Sequence, residues 1–348
     1  MSSLAIVGAG AAGLAAAHAL APDLRVTVFE KSRGLSGRAA TRWRDAPAPD
    51  GSPFRWRYDH GAQYVELPSG SRAEALVRRV AGDDLVAVDG AVWPFDDDGT
   101  LRPDLARTGS PHWTFADGIA GLGRRIVDAT PELDLRLETR VARLVRPSEG
   151  WLVEDDDGTR HGPFDAVLLT PPAPQTADLL AASDLDAARA DALREATYRS
   201  QFAVVWAFDH VLDRPGDVYA LVNRGGRHAV AWIAVESDKP GRAPDGASLL
   251  LAQMSDAWTR AHYDDDRADV VRLAAEAVAG VWGPLPEPLW TDTQRWRYSS
   301  PAASVDASAV ESRADGLFVA GDFTAAKGRV DLALEQGLAA AERIRARL

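Results

Sequence analysis

The 348-residue sequence contains no cysteine. Disulfides, thiolate metal ligands, a thiol nucleophile and a prosthetic group linked through sulfur are therefore excluded. The absence fits a reducing compartment, and we expect a cytoplasmic location. Lysine is almost as scarce, since Lys31, Lys239 and Lys327 are the only lysines among the 39 basic residues.

Excess positive charge and long apolar runs are also missing. A formal net charge of -12 disfavours sequence-independent binding to nucleic acid, which depends on Lys and Arg neutralising phosphates. Residues 1–21 are apolar, but they lack a basic leader and are interrupted by glycines, so we interpret them as a strand and a helix rather than a signal peptide. No other window offers the roughly 18 uncharged residues of a membrane span. The seven histidines show no metal-ligand spacing, and we expect no metal site.

The length fits two interleaved domains. Residues 4–7, 11–20 and 25–29 predict a strand, a helix and a second strand, whereas 44–54 is rich in Pro, Gly and Asp and predicts a surface loop. Further strands are predicted at 133–144 and 165–170, with a hairpin turn at 156–158, and helices are predicted at 177–197 and 265–281. The segments predicted to form one antiparallel sheet are FAVVWAFDH, YALVNR, HAVAWIAVES and ASLLLAQMS. A last strand and helix are predicted at 317–320 and 330–348.

A dinucleotide-binding fingerprint lies in the first predicted β-α-β unit. Gly8, Gly10 and Gly13 follow a strand and open a helix, and Glu30 ends the next strand. The first two glycines allow a turn and close approach of a pyrophosphate, and the third allows helix and strand to pack closely. The helix N-terminus favours the phosphate charge, and Glu30 can accept hydrogen bonds from ribose hydroxyls.

Two further segments extend this site. The loop after Glu30 contains Gly37 and Arg38, whose guanidinium can donate to the same pyrophosphate. About 310 residues beyond the glycine loop, Gly321 and Asp322 follow an apolar strand and precede another helix start near Val330. Two nucleotide-like motifs so far apart favour a long cofactor held from both ends of the sequence, and we predict non-covalent FAD.

The sequence resembles the renalase family, within the wider group of flavin amine oxidases. The segments that carry the resemblance are IVGAGAAGLAAA, FEKSRGLSGR, YDHGAQY, HGPFDAVLLTPPAPQTADLL, QRWRYSSPA and GLFVAGDFTAAKGRVDLALEQG. The resemblance implies that Ala62, Gln63 and Tyr64 approach the flavin ring, that Val141 binds adenine through its backbone and that Thr170 closes the pyrophosphate site. The residues expected to bind FAD are Gly8, Gly10, Ala11, Ala12, Gly13, Glu30, Lys31, Gly37, Arg38, Gly61, Ala62, Gln63, Tyr64, Val141, Thr170, Gly321, Asp322, Gly328, Arg329 and Val330.

The candidate catalytic residues are Tyr64, Trp296, Glu236 and Gln253. The resemblance implies that Tyr64 and Trp296 flank the substrate. Glu236 and Gln253 align with positions where renalase-like sequences often carry Asn and His, and Ser36 replaces a family glycine. Amine oxidases of the wider group usually place a lysine near flavin N5, but neither Lys239 nor Lys327 lies in a predicted strand of the substrate sheet. His60 lies beside the flavin segment, where a structural histidine with its hydrogen bonds satisfied is expected.

The expected fold is α/β. A discontinuous Rossmann-like FAD domain of the glutathione-reductase or amine-oxidase type covers 1–65, 116–176 and 286–348, and a substrate domain on a mixed or antiparallel sheet covers 66–115 and 177–285. The expected function is renalase-like oxidation of 2- or 6-dihydro isomers of NAD(P)H to NAD(P)+, with hydride transfer to flavin and reduction of molecular oxygen to hydrogen peroxide. Such a reaction restores pyridine aromaticity without a general base. Amine or desaturase-type oxidation of another small molecule, and a non-catalytic FAD-binding redox sensor, remain alternatives.

Overall fold

The computed structural model describes residues 1–106, 111–311, 315–325 and 327–348. The strands in chain order are β1 Ser3–Val7, β2 Arg25–Phe29, β3 Thr41–Pro47, β4 Pro53–Asp59, β5 Val65–Glu66, β6 Leu85–Val88, β7 Ala91–Phe95, β8 His112–Phe115, β9 Asp134–Arg136, β10 Val141–Val145, β11 Trp151–Asp155, β12 Arg160–Phe164, β13 Ala166–Leu169, β14 Tyr198–Phe208, β15 Val218–Asn223, β16 Val230–Val235, β17 Ser248–Met254, β18 Trp290–Pro301 and β19 Leu317–Val319. The helices are α1 Ala11–Leu20, α2 Arg72–Ala81, α3 Gly121–Asp128, α4 Ala173–Ala182, α5 Ala187–Arg194, α6 Asp256–Ala261, α7 Arg267–Trp282, α8 Ala307–Val310 and α9 Val330–Arg347.

A five-stranded parallel sheet forms the centre of the first layer. Its strand order is β19-β13-β1-β2-β9, and each neighbouring pair is parallel. Strands β1, β13 and β19 are buried along their length, as expected for a parallel sheet covered on both faces. The predicted Rossmann-like β-α-β unit is confirmed. Because parallel strands end at the same edge, the segments that follow β1, β13 and β19 meet there.

Helices α1 and α9 pack side by side on this sheet. A Cβ at Gly337 of α9 would overlap the carbonyl oxygen of Ala12 in α1, so glycine allows the two backbones to approach closely. Helix α1 buries residues around most of its circumference, because it lies between the sheet and α9. The helix near one end of the sequence and the helix near the other are therefore direct neighbours.

The second layer is a six-stranded sheet of order β18-β14-β17-β16-β15-β7. Its pairs are antiparallel except β15 with β7, so the sheet is mixed. The four segments predicted to share a sheet form β14 to β17, which confirms that prediction. One face buries Val204 and Trp206 in the cluster that packs with α7, and the opposite face carries Gln253 and Trp296.

Two local predictions need correction. Residues 44–54 form the ends of the β3–β4 hairpin and its turn rather than one loop, because Trp56 is fully buried against the second sheet and draws β4 onto it. The single helix predicted over 177–197 is two helices, since Asp184 and Asp186 adopt positive φ values of 54° and 34° between α4 and α5. Asp186 then caps α5 by accepting from the Arg189 N–H at 3.0 Å.

The predicted division into two domains stays a prediction, and parts of those ranges at 107–110, 312–314 and 326 lie outside the described residues. Strand β18 was predicted in the FAD domain, but it pairs with β14 at the edge of the second sheet. We propose counting 290–301 with the substrate domain for that reason. Within the described segments, no helix is long and apolar enough to cross a bilayer.

Candidate cofactor and active site

Each of the three glycines in the loop after β1 lies in a different steric environment. Gly8 adopts a φ of +105°, and a Cβ there would lie 2.6 Å from Thr170 Oγ1. A Cβ at Gly13 would overlap the carbonyl oxygen of Gly8, so the helix rests directly on the loop. A Cβ at Gly10 would meet nothing within 4 Å, which leaves open space in front of this residue. The loop thus combines close packing on one side with room for a ligand on the other.

The N-terminus of α1 and Glu30 face this open space. Gly10 caps the helix without any side-chain hydrogen bond, so the first-turn N–H groups are available to an anion. Glu30 is largely buried, and its carboxylate accepts from the N–H groups of Ala9 at 2.9 Å and Ser32 at 2.8 Å. These bonds fix the carboxylate and leave it further acceptor capacity for ribose hydroxyls.

Arg38 and Asp322 connect the two sequence-distant halves of the site. The Arg38 guanidinium lies 2.8 Å from Asp322 Oδ2 and also donates to the Ser299 carbonyl at 3.2 Å. Tyr198 donates to Asp322 Oδ1 at 3.4 Å, and burial together with the Asp322 charge raises the pKa of Tyr198, so its hydroxyl stays protonated. The pyrophosphate contact of Arg38 stays a prediction, because the guanidinium is engaged with Asp322 here.

A single cleft of about 1880 Å³ joins these features. All the residues predicted to bind FAD line it except Gly13, which supports the loop from behind. Among the candidate catalytic residues, Tyr64, Trp296 and Gln253 line it and Glu236 does not. Open space at Gly10, uncapped N–H groups and an anchored acid fit an elongated dinucleotide cofactor.

An aromatic pair forms one side of the cleft near Gly61. Trp296 stacks on His60 with ring centroids 5.3 Å apart, and its Nε1 donates to the His60 carbonyl at 2.8 Å. A Cβ at Gly61 would overlap the Arg38 carbonyl oxygen, so the chain passes closely between Arg38 and Trp296. Tyr64 stacks on His112 with centroids 3.9 Å apart.

His60 differs from the satisfied structural histidine expected from the sequence. Its side chain is buried, and Nδ1 has no hydrogen-bond partner within the described residues. Burial and the nearby positive charge of Arg42 lower the pKa of His60 to about 4. The imidazole beside Trp296 is therefore neutral at neutral pH.

The second sheet provides a wall of amide and indole side chains. Trp232, Gln253 and Gln294 lie in one row across β16, β17 and β18, with Ala203 of β14 between the two glutamines. All three line the cleft, as do Gln201 and Trp296. Within the described residues, no acid that lines the cleft belongs to a strand of this sheet. This wall is therefore uncharged apart from the arginines at the edge strand.

Four fully buried charges lie behind the segment that carries His60 and Gln63. Lys239 Nζ is 2.7 Å from Glu236 Oε2 and 3.2 Å from Asp59 Oδ2. Arg242 contacts the same two carboxylates, with Nη2 at 2.7 Å from Asp59 and Nε at 3.2 Å from Glu236. Lys239 Nζ also donates to Gln63 Oε1 at 3.4 Å. We call Asp59, Glu236, Lys239 and Arg242 the buried tetrad.

The tetrad balances two positive against two negative charges. Burial alone would raise the pKa of Asp59, but Arg242 and Lys239 hold it below its ordinary value. Asp59 also accepts from Thr41 at 2.6 Å, and Glu236 accepts from the Asp59 N–H at 2.9 Å. Such complete pairing is what permits four ions to remain buried.

Comparison with known proteins now identifies the family. The model of the family described as "Flavin containing amine oxidoreductase" matches residues 100–345, and that of "NAD(P)-binding Rossmann-like domain" matches residues 6–80. The chain belongs to the flavin-containing amine oxidoreductases. It is accordingly a flavin-dependent oxidoreductase.

Three similar proteins share 15–22% sequence identity with this flavin amine oxidoreductase. Renalase from Mus musculus is 22% identical over 312 residues, which cover 88% of this chain and 87% of renalase. A solved structure of a protein described as a putative protoporphyrinogen oxidase, from an Exiguobacterium species, superposes with a TM-score of 0.78 at 16% identity and covers 100% of this chain and 99% of its own. A redesigned putrescine oxidase superposes with a TM-score of 0.74 at 15% identity, covering 100% and 99%. The structural likeness establishes the amine-oxidase type of fold.

In this flavin amine oxidoreductase, the surroundings of Glu236 differ from those expected from the sequence, and two residues, Lys239 and Trp232, were not foreseen. Glu236 was a candidate catalytic residue, but the chain turns inward after β16 and buries its carboxylate in the tetrad, away from the cleft. Lys239 is not in a strand, as predicted, yet its role in the tetrad was not foreseen. Trp232 was overlooked because alternation in β16 does not reveal which face meets the cleft.

Proposed function

We propose that the chain is an FAD-dependent oxidase that converts 2- or 6-dihydro isomers of NADH or NADPH to NAD(P)+. FAD is proposed because the cleft runs from the glycine loop to Asp322, which suits a dinucleotide. Bound non-covalently, FAD supplies hydride acceptance at N5 and electron transfer to oxygen, so substrate, oxygen and one proton give NAD(P)+ and hydrogen peroxide. Similarity to renalase supports this substrate class.

The observation that carries this proposal is the wall of amide and indole side chains that the second sheet presents to the cleft. Loss of hydride from a dihydropyridine restores an aromatic ring and requires no proton acceptor. The side chains near Trp296 match that requirement, since apart from arginines, which are protonated and accept no proton, they are amides, indoles, a phenol and the imidazole of His60 with a pKa of about 4. Lys239, which donates to Gln63, is held in the buried tetrad and does not line the cleft, and Lys31 lines it beside Glu30 at the nucleotide end.

The aromatic residues would position the substrate. Trp296 is fixed by its hydrogen bond to the His60 carbonyl and by stacking on the imidazole, so its indole presents a rigid flat surface. Tyr64 offers a second ring. A planar dihydropyridine held between such surfaces is kept at the distance that hydride transfer needs, with water excluded.

Amine oxidation is the second candidate, because the family description names it. An amine is a cation at neutral pH, and recognition of a cation favours a carboxylate or an aromatic cage. Asp322 is paired with Arg38 and Glu66 with Arg329, and within the described residues no acid lines the cleft from the second sheet, so the aromatic rings near Trp296 are the groups that would recognise an amine there. Desaturase-type oxidation and a non-catalytic redox sensor are further outcomes of the same test.

The decisive experiment is anaerobic mixing of the flavin-loaded protein with single substrates. We expect the 2- or 6-dihydro isomers of NADH to bleach the visible absorbance of oxidised flavin rapidly, and ordinary NADH and putrescine to do so far more slowly. Admission of air restores the colour with one hydrogen peroxide per substrate. Bleaching by an amine alone would establish the second candidate, and no bleaching by any substrate would favour the sensor.

Trp296 offers a residue-level test of the same proposal. In Trp296→Ala we expect the rate of flavin reduction to fall much more than the affinity for FAD. Trp258→Phe, on the opposite side of the second sheet, is the matched control and leaves both unchanged. Equal loss of both properties in Trp296→Ala would instead make Trp296 a packing residue.

A further inference from the structure

Residues 60–64 connect β4 to β5, and all of them line the cleft. They form neither helix nor strand, so no regular ladder of backbone hydrogen bonds fixes them. Individual bonds from elsewhere in the chain hold them instead. The Ala62 N–H donates to the Arg38 carbonyl at 3.0 Å, and the His60 carbonyl accepts from Trp296 Nε1 at 2.8 Å. The shape of the cleft here therefore depends on how this segment is held.

The side-chain amide of Gln63 is directed back onto its own segment. Nε2 donates to the Asp59 carbonyl and, at 3.3 Å, to the Gly61 carbonyl. Oε1 accepts from Lys239 Nζ at 3.4 Å. Gln63 is 6% exposed and Lys239 is fully buried, so the amide lies behind the cleft surface. It thereby ties the two ends of the segment together from the interior of the protein.

Lys239 makes one hydrogen bond more than the charge balance of the tetrad requires. An ammonium carries three donors, and those of Lys239 are matched by Glu236, Asp59 and Gln63. The first two bonds pair opposite charges and keep the ions buried. The third is made to a neutral amide and contributes nothing to charge balance. It joins the tetrad to the segment that lines the cleft.

Lys239 also decides which end of the Gln63 amide carries oxygen. Because an ammonium only donates and a carbonyl only accepts, the neighbours of the amide permit a single orientation. The reversed amide would turn its NH2 group toward Lys239 and its oxygen toward the carbonyls of Asp59 and Gly61. Such a mismatch is unfavourable among buried groups. The ammonium therefore directs the two donors of Gln63 onto the backbone of its own segment.

We propose that Lys239 and Gln63 are positioning residues for the flavin. The ammonium orients the amide, and the amide holds residues 60–63 in the conformation that meets the flavin ring. Lys239 does not line the cleft, so its effect is transmitted by Gln63 rather than exerted on substrate. This assignment rests on the part of the proposed function that places FAD beside residues 61–64, and it is independent of the substrate.

Three variants separate positioning from packing. Gln63→Met keeps the length of the side chain but removes both ends of the amide, and it leaves the tetrad charges in place. Lys239→Met combined with Glu236→Gln removes the ammonium while the buried charges stay balanced. The amide introduced at 236 can still accept from the Asp59 N–H, as the Glu236 carboxylate does at 2.9 Å. The third variant carries all three substitutions.

Thr259→Val is the matched control for loss of a buried hydrogen bond. It removes a fully buried acceptor, which binds the Phe202 N–H at 3.0 Å, from a residue that does not line the cleft. We expect Thr259→Val to lower thermal stability. Hydrogen exchange in segment 59–63 and the spectrum of bound flavin should stay as in the wild type.

Hydrogen exchange of the apoprotein and visible circular dichroism of the flavin-loaded protein examine this segment without turnover. In Gln63→Met and in the Lys239–Glu236 variant, we expect amide exchange in 59–63 to be about 5-fold or more faster than in the wild type, since each loses at least one hydrogen bond. The dichroism bands of the flavin should change in the same direction in both. The variant with all three substitutions should match Gln63→Met, because Lys239 acts through that amide.

Two results would overturn the proposal. Wild-type exchange and wild-type flavin bands in Gln63→Met would make Gln63 a packing residue. A further change of the bands on adding the Lys239 and Glu236 substitutions to Gln63→Met would show that the ammonium acts on the flavin by its charge. Flavin reduction by the 2- or 6-dihydro isomers of NADH is followed in the same proteins. If the isomers fail to reduce the wild-type flavin while the bands respond as expected, the proposed reaction fails and the positioning role stands.

Discussion

Arg38 and Asp322 are 284 residues apart in sequence and form an ion pair with a closest distance of 2.8 Å. Asp322 is almost fully buried, whereas Arg38 keeps about a third of its surface exposed to the cleft. The pair joins the loop after β2 to the segment after β19. An ion pair between residues far apart in sequence therefore holds together one side of the cofactor cleft.

Replacement of Asp322 by an uncharged residue should destabilise this side of the cleft. In Asp322→Asn, the Arg38 guanidinium loses its charged partner, and we expect the free energy of unfolding of the apoprotein to fall by about 1–3 kcal/mol. FAD retention should fall as well. Urea unfolding and flavin release measure the two effects. The exposed pair formed by Arg194 and Asp191 gives a control, and Arg194→Met should change neither quantity. Unaltered stability and flavin release in Asp322→Asn would contradict the structural role.

Gly10 and Gly13 form a matched pair of test sites. Gly13→Ala places a methyl group against the Gly8 carbonyl, and we expect the apoprotein to lose about 1–3 kcal/mol of unfolding free energy. Gly10→Ala adds its methyl group in open space at an extended residue, so apoprotein stability should change by less than about 0.5 kcal/mol. FAD affinity should nevertheless fall in Gly10→Ala, because the methyl group occupies cofactor space. Thermal unfolding of apoprotein and FAD titration distinguish the two. Normal FAD affinity in Gly10→Ala would place the cofactor elsewhere.

The buried tetrad predicts a large loss of stability when one of its charged side chains is replaced by an uncharged one. Lys239→Met leaves two buried carboxylates with one cation, and we expect the free energy of unfolding to fall by about 3–5 kcal/mol. Adding Glu236→Leu restores charge balance and should recover part of the loss, so the two changes are not additive. Denaturant unfolding of both single variants and the double variant measures the coupling. Additive losses would show that the tetrad does not act as a unit.

His60 predicts a pH effect on stability. Its pKa is about 4 in the folded protein and about 6.5 in the unfolded chain. Between these values the unfolded chain binds more protons, so the free energy of unfolding falls as the pH is lowered through this window. The contribution reaches at most about 3 kcal/mol. In His60→Gln the decline in stability between neutral pH and pH 4 should be correspondingly shallower than in the wild type. Parallel stability curves for the two proteins would rule out the buried, neutral imidazole.

Local patterns in the sequence revealed the cofactor side of the molecule. The strand, glycines and helix around Gly10 all depend on neighbours in sequence, and so does the placement of Glu30 at the end of β2. The substrate side depends on pairings between distant strands. Glu236 was a candidate catalytic residue because it aligns with a position where renalase-like sequences often carry Asn, but only the inward turn after β16 decides that it meets Lys239 and Arg242. The register of β16 and β17 pairs Trp232 with Gln253 and places both on the cleft side of the sheet, and local sequence does not reveal that register.

The close contact of α1 and α9 has a consequence for biosynthesis. Helix α9 leaves the ribosome after all the other elements, so until then the apolar surface around Ala12 lacks its cover. Asp322 emerges only shortly before it, and Arg38 waits for its partner during nearly the whole of translation. We therefore expect the cofactor to bind only after α9 has been synthesised, and a chain interrupted before α9 to expose apolar surface that chaperones and proteases recognise. The architecture thus makes the proposed cofactor site dependent on synthesis of α9.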